Sequence, residues 1–159
     1  MVLFKASKIN VIGTSGTGKS TFAKKLSAAL DIPYIEMDKI FWLPNWTEPT
    51  NEVFFEHLKR VLEAPAWVLD GNYTRTVPIK WQKVDLVIWL DYSFPRTLFQ
   101  AICRAFQRAW TQEELWEGTG NRKKYESYMN DTKFSHIRFI RIRNHVEARK
   151  FLNNANLST

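Results

Sequence analysis

Residues 13–21 read Gly-Thr-Ser-Gly-Thr-Gly-Lys-Ser-Thr and follow a β-branched, mostly apolar run at Ile9–Ile12. The order fits G-x-x-x-x-G-K-[ST], the phosphate-binding P-loop. Its glycines let the main chain curl until successive N–H groups point inward at phosphate oxygens. Lys19 brings a cation to the β- and γ-phosphates, and the Ser20 hydroxyl can ligate Mg²⁺. A helix beginning at Lys19 aims its positive end at the same anion. Phe22, Leu26, Ala29 and Leu30 carry the spacing of that helix. Gly13, Thr14, Ser15, Gly16, Thr17, Gly18, Lys19, Ser20 and Thr21 are therefore the candidate contacts to a nucleoside triphosphate.

Three acids recur at one kind of place. Asp38, Asp70 and Asp91 each end a predicted strand, the edge of an open parallel sheet where ligands bind and where the P-loop lies. Acids there can hold the water ligands of Mg²⁺ or accept a proton from an acceptor group. The structural alternative for each is a turn or a helix cap. Ser20, Asp70 and Asp91 are the candidate metal residues, and which of the two acids steadies Mg²⁺ stays open. His57, His136 and His145 have no metal-ligand spacing and read as structural. Cys103, beside Ile102 and Phe106, reads as a small buried apolar residue.

The elements that must position these residues alternate strand and helix. Lys8–Ile12 predicts a first strand, 19–30 a first helix, and Pro33–Met37 a short second strand. An aromatic, proline-rich stretch follows, with Phe41, Trp42, Pro44 and Trp46. Val53, Phe54, His57, Leu58, Val61 and Leu62 mark an amphipathic helix capped by Thr50 or Asn51. Trp67–Asp70 predicts the third strand. Val84–Leu90 predicts a fourth, apolar enough to be buried on both faces. Pro95 opens a helix to about Trp110 that carries Arg104 and Arg108 on one face. Residues 111–124 read as a polar loop, 125–130 as a short helix, Arg138–Arg143 as the fifth strand and Val146–Leu152 as a closing helix. The alternation predicts an α/β fold with a parallel sheet and right-handed crossovers.

A chain of 159 residues is of one-domain length and can bury a proper core. The single cysteine allows no internal disulfide, which suits a reducing compartment. No apolar run reaches the roughly 20 residues needed to span a bilayer, and the first strand starts at once. A cytoplasmic protein is the expectation. The net charge of +7 is concentrated late in the chain. Three explanations stand for it: a phosphate site lined with arginines, a nucleic-acid surface, or a solvated basic face.

With these residues in place, the chain resembles the adenylate-kinase-like P-loop kinases, and within them the bacterial DNA topology modulation proteins. The resemblance rests on Gly16–Thr21, on Met37-Asp38 with Trp42-Leu-Pro-Asn-Trp46, and on Trp67-Val-Leu-Asp-Gly-Asn-Tyr73. Val84–Asp91, Arg104, Arg108 and Gly120-Asn-Arg122 continue it. It implies one three-layer domain over 1–159, a five-stranded parallel sheet in the order 2-3-1-4-5, and a short lid around 111–124. It also implies transfer of a phosphoryl group from ATP, with Mg²⁺, to an acceptor. Lys19 would be catalytic, Asp38 would face the acceptor, and Arg104 and Arg108 would clamp the transferring phosphates. Arg143 would lie in the loop that contacts adenine. Asp70 matches the acid opening the Asp-Gly-Phe-Pro-Arg motif of adenylate kinases. The continuation is absent, Arg75 falls one position late, and the acceptor need not be a nucleoside monophosphate.

The leading expectation is a kinase acting on a nucleoside- or nucleotide-like small molecule, with Asp38, Trp42, Asp70 and Arg75 as acceptor contacts. Phe41, Trp42 and Trp46 could stack on a planar acceptor or simply cover the core. A second expectation is an ATP-dependent DNA-binding protein. It draws on Arg138, Arg141 and Arg143, although the three do not share one strand face. A third is a nucleotide-binding switch without kinase activity.

Overall fold

The computed structural model describes residues 6–14, 16–41, 47–92 and 121–156. Five strands, β1 (Lys8–Gly13), β2 (Tyr34–Glu36), β3 (Trp67–Asp70), β4 (Leu86–Leu90) and β5 (Arg138–Ile142), form one sheet in the order β2-β3-β1-β4-β5. All four pairings are parallel. The helices are α1 (Lys19–Leu30), α2 (Met37–Phe41), α3 (Asn51–Val61), α4 (Val77–Lys80), α5 (Asn121–Met129) and α6 (His145–Asn156). This is the α/β arrangement expected from the alternation of elements, with the strand order that the family resemblance implies.

The period of two along the central strands divides the interior into two cores. Ile9 and Val11 of β1, Val68 of β3, and Leu86, Ile88 and Leu90 of β4 meet Phe22, Ala23 and Leu26 of α1 and Ala148 and Ala155 of α6. Ile12, Trp67, Leu69, Val87 and Trp89 point the other way, to Met37, Phe41, Phe54, Leu58, Trp81 and Tyr125. Strands clad on both faces lose all contact with water, which is why β4 reads as Leu-Val-Ile-Trp-Leu without alternation. Each fully buried Leu or Ile contributes about 1.5–3 kcal/mol by leaving water.

Boundaries depart from expectation where side chains cap or pin the chain. The second strand stops at Glu36, because Met37 turns fully into the core and starts α2 together with Asp38. Thr50 does cap α3, accepting from the Val53 N–H at 3.4 Å. The closing helix begins at His145 because Asn144 caps it: Asn144 Oδ1 accepts from the Glu147 N–H at 2.9 Å, and Glu147 Oε1 accepts from Asn144 Nδ2 at 2.8 Å. Residues 121–124 were expected in a polar loop and lie instead in α5. Arg and Lys are good helix formers, so their polarity alone did not specify a loop. No helix among the described residues is long and apolar enough to cross a membrane.

Candidate active site

The phosphate loop leaves the middle of the sheet, where β1 lies between β3 and β4. It enters α1 through Gly18, whose φ of 80° and ψ of 25° place it in the left-handed region that favours glycine. No side chain caps α1, and no acid sits in its first turn. The main-chain donors there are the ones an anion would take. The loop closes on one carbonyl. Thr14 O accepts from the Thr17 N–H at 3.3 Å, from Thr17 Oγ1 at 2.8 Å and from Lys19 Nζ at 3.1 Å. The Lys19 ammonium therefore sits folded onto the loop it serves. Ser20 and Thr21 are exposed.

Asp70, at the carboxyl end of β3, is buried and accepts from the Tyr34 hydroxyl at 2.9 Å. Burial pushes the Tyr34 phenol well above its ordinary range, and the Asp70 charge and hydrogen bond push it further. A hydrogen bond with the Ser20 side chain acts in the opposite direction. Ser20, Tyr34 and Asp70 thus form one chain of contacts from the loop to the neighbouring strand end. Asp38 is exposed on α2, and its Oδ1 accepts from the Tyr73 hydroxyl at 2.8 Å.

Asp91 lies on the other side of β1 and belongs to a different network. Its Oδ2 accepts from Arg141 Nε at 2.9 Å and Nη2 at 2.6 Å, and Arg141 also reaches Glu126 at 3.3 Å. The Arg141 guanidinium lies 4.3 Å from the Trp89 ring centroid. Arg141 is engaged beside the sheet edge, while Arg138 and Arg143 are exposed. The strand predicted to reach Arg143 ends at Ile142, and the basic residues along and just after β5 are divided between a network and solvent.

Arg75 is exposed, with its guanidinium 4.9 Å from the Phe41 ring and 5.5 Å from the Phe54 ring. Its neighbour Tyr73 packs against the same rings, so Arg75, Tyr73 and Asp38 share one corner of the site. The Arg143 N–H donates to Glu147 Oε2 at 2.8 Å, which anchors the chain as it enters α6. His136 Nε2 is 3.0 Å from the Trp81 carbonyl, and the His145 ring packs on Tyr92. Ser15, Trp42, Trp46, Cys103, Arg104, Arg108 and lid residues 111–120 lie outside the described residues.

Four residues of the site went unread. Asn72 grips Gly13 at both ends of its residue: Oδ1 accepts from the Gly13 N–H at 3.0 Å, and Nδ2 donates to Gly13 O at 2.7 Å. Lys80 is completely buried, and its Nζ donates to Gly71 O at 3.1 Å and Asn72 O at 2.6 Å. Asn10, also fully buried, donates to Leu69 O at 3.0 Å and Gly71 O at 3.3 Å and accepts from Trp81 Nε1 at 2.9 Å. Tyr34 links Ser20 and Asp70 as described. The Asp-Gly-Asn-Tyr run pointed at Asn72. Nothing in the sequence marked Lys80, since an isolated lysine ordinarily sits in water.

No protein-family model and no curated protein matches the chain. Solved structures do match over nearly its full length. A shikimate kinase from Acinetobacter baumannii, in complex with shikimate, is 18% identical with a TM-score of 0.57, covering 94% of this chain and 90% of its own. A shikimate kinase from Aquifex aeolicus is 16% identical at 0.54, covering 95% and 94%. A gluconokinase from Sinorhizobium meliloti is 13% identical at 0.51, covering 96% and 97%. The chain shares its fold with these kinases. At these identities the likeness concerns architecture, and the chemistry must be argued from the site.

Proposed function

We propose that the chain is a phosphotransferase that moves the γ-phosphoryl group of ATP to a small-molecule acceptor of nucleoside- or nucleotide-like character. The observation that carries this reading is the gathering, on one carboxyl edge of the sheet, of an uncapped helix start, Lys19, and the two acids Asp70 and Asp38. Phosphoryl transfer asks a protein mainly for positioning and charge stabilisation, and these groups supply both. The N–H groups at the start of α1 and the Lys19 ammonium take the phosphates. To reach them, Lys19 exchanges Thr14 O for a phosphate oxygen.

The residues present suit Mg²⁺, a hard cation that prefers oxygen ligands and keeps several waters. Ser20 would hold it directly and Asp70 through water, since both already share Tyr34; Asp91, paired with Arg141, is left out of that set. When bound, the ion neutralises charge on the phosphate oxygens. Asp38, held by Tyr73, faces the acceptor and takes the proton from its hydroxyl. Arg75, beside the Phe41 and Phe54 rings, contacts the acceptor, and Trp42 is assigned to the acceptor on its place in the sequence alone. Arg104 and Arg108 carry the clamping role that the family resemblance assigns them, and Arg143 the adenine side. The kinship with DNA topology modulation proteins belongs to the same proposal.

The test is ADP release from ATP–Mg²⁺ across nucleosides, nucleoside monophosphates and small hydroxylated metabolites, with Lys19→Ala as the blank. Stimulation by one acceptor class, lost in the variant, is the expected result. Tight ATP binding without stimulation by any acceptor would replace the kinase by a nucleotide-dependent switch.

A further inference from the structure

Lys80 poses a problem of chemistry. An amine taken wholly out of water costs free energy unless its donors are met, and a methionine would fill the same space without that cost. Among the described residues Lys80 has no carboxylate partner. Its Nζ contacts are the carbonyls of Gly71 and Asn72 and, at 4.0 Å, the sulfur of Met37.

Each of these partners leads into the site. Asn72 holds Gly13, where the phosphate loop begins. Met37 immediately precedes Asp38 and packs on Gly71 so closely that a Cβ at position 71 would lie 2.7 Å from the Met37 Cβ. Tyr73, the next residue of the turn, donates to Asp38 and is held at a positive φ of 25°, unusual for a residue with a side chain. The turn Gly71–Tyr73 therefore touches the phosphate side with one side chain and the acceptor side with the next. Asn10 and the Val11 carbonyl hold only its first residue, through Gly71 O and the Gly71 N–H. Among the described residues, Lys80 alone reaches the Asn72 carbonyl.

We propose that Lys80 is a positioning residue that sets the Gly71–Tyr73 turn and through it the distance between the phosphate loop and Asp38. The proposal rests on the kinase reading for its consequence in turnover, while its structural half stands without it. Lys80 touches no reacting atom; it acts through Asn72 and Tyr73.

The test compares Lys80→Met, Asn72→Ala and Tyr73→Phe in the full chain. Three quantities are read: the Kd for ATP–Mg²⁺ by calorimetry, amide exchange at Gly13 by NMR, and kcat with the acceptor found in the panel. Asn72→Ala is expected to raise the ATP Kd and speed Gly13 exchange, each about tenfold, the scale of one lost buried hydrogen bond. Tyr73→Phe is expected to lower kcat and leave the ATP Kd within about twofold, because its hydroxyl donates to Asp38 on the acceptor side. Lys80→Met is expected to do both, and adding Asn72→Ala to it should cost little more ATP affinity. A folded Lys80→Met protein with wild-type ATP Kd and Gly13 exchange would overturn the proposal, as would fully multiplicative effects with Asn72→Ala. If Lys80→Met does not fold, the Asn72→Ala/Tyr73→Phe pair decides: non-multiplicative loss of kcat supports one shared turn, and independent losses refute it. Absence of turnover in every protein, the wild type included, would sink the kinase reading alone. The ATP and exchange readouts would still judge Lys80, and for the side-chain pair Gly13 exchange would replace kcat.

Discussion

The phosphate loop and the Gly71–Tyr73 turn lie side by side at the ends of β1 and β3 and are built on different plans. Past Gly13, which Asn72 of the turn holds, the loop folds on itself. Three hydrogen bonds end on Thr14 O and come from residues at most five positions away. The turn is held by side chains that arrive from elsewhere: Asn10 from β1, Lys80 from α4, and its own Asn72 and Tyr73 reaching 59 and 35 residues along the chain. Bonds that close within five residues need glycine and little else from their surroundings. A turn assembled from distant side chains exists only when the sheet has already formed. One region therefore carries its chemistry as a motif, the other as a consequence of the fold.

Breaking this contrast is possible from either side. The largest effect is expected at Asp38, which the turn presents. Asp38→Asn should lower kcat by about a thousandfold, the range of a lost general base, with the ATP Kd nearly unchanged in calorimetry. On the loop side, Lys19→Ala should weaken ATP–Mg²⁺ binding by about a hundredfold, with an unfolding midpoint close to the wild type. A loop that needed Lys19 for its own shape would instead unfold earlier.

The turn can be attacked without touching any polar group. Gly71→Ala forces a Cβ onto Met37 and should cost about 2–3 kcal/mol in urea unfolding, whereas Gly18→Ala, which meets no atom within 4 Å, should cost less. Equal losses at the two glycines would erase the distinction between them. The smallest effect is a slope. Burial lowers the Lys80 amine from its ordinary value of 10.5 to about 7. The unfolded chain then binds one more proton than the folded chain between those values. Stability contributed by Lys80 rises with pH across that window and is lost as pH falls through about 7. Unfolding free energy should climb from pH 7 to pH 9 by at most about 1.4 kcal/mol per pH unit relative to Lys80→Met. Parallel curves for the two proteins would refute it.

The same contrast explains what could be read in advance. The loop and the five strands were legible, because glycine spacing, β-branched runs and terminal acids are local signals, while the strand order came from the family resemblance. Asp70 and Asp38 were legible as strand-end acids, although Asp38 proved to sit on a short helix that Met37 starts by turning inward. Asp91 looked equivalent to the other two by position; only the register that sets Trp89 beside Arg141 shows it paired with a cation. Lys80 and Asn10 were invisible, since their burial depends on which elements close over them. Asn72 stood in a noticed run, but its grip on Gly13 requires β3 to lie beside β1.

The division of the interior into two cores has a spectroscopic consequence. Trp67, Trp81 and Trp89 all belong to the core beneath α2–α5, and the core between the sheet and α1 and α6 contains no indole among the described residues. With the other four tryptophans, Trp42, Trp46, Trp110 and Trp116, replaced by phenylalanine, emission from these three indoles watches one side of the sheet. Ellipticity draws on helices of both sides, α1 and α6 on one and α3 on the other. Denaturation traces from the two probes overlay only if the two layers release together. Any gap between them would report, directly and without labels, that the sheet sheds one layer of helices before the other.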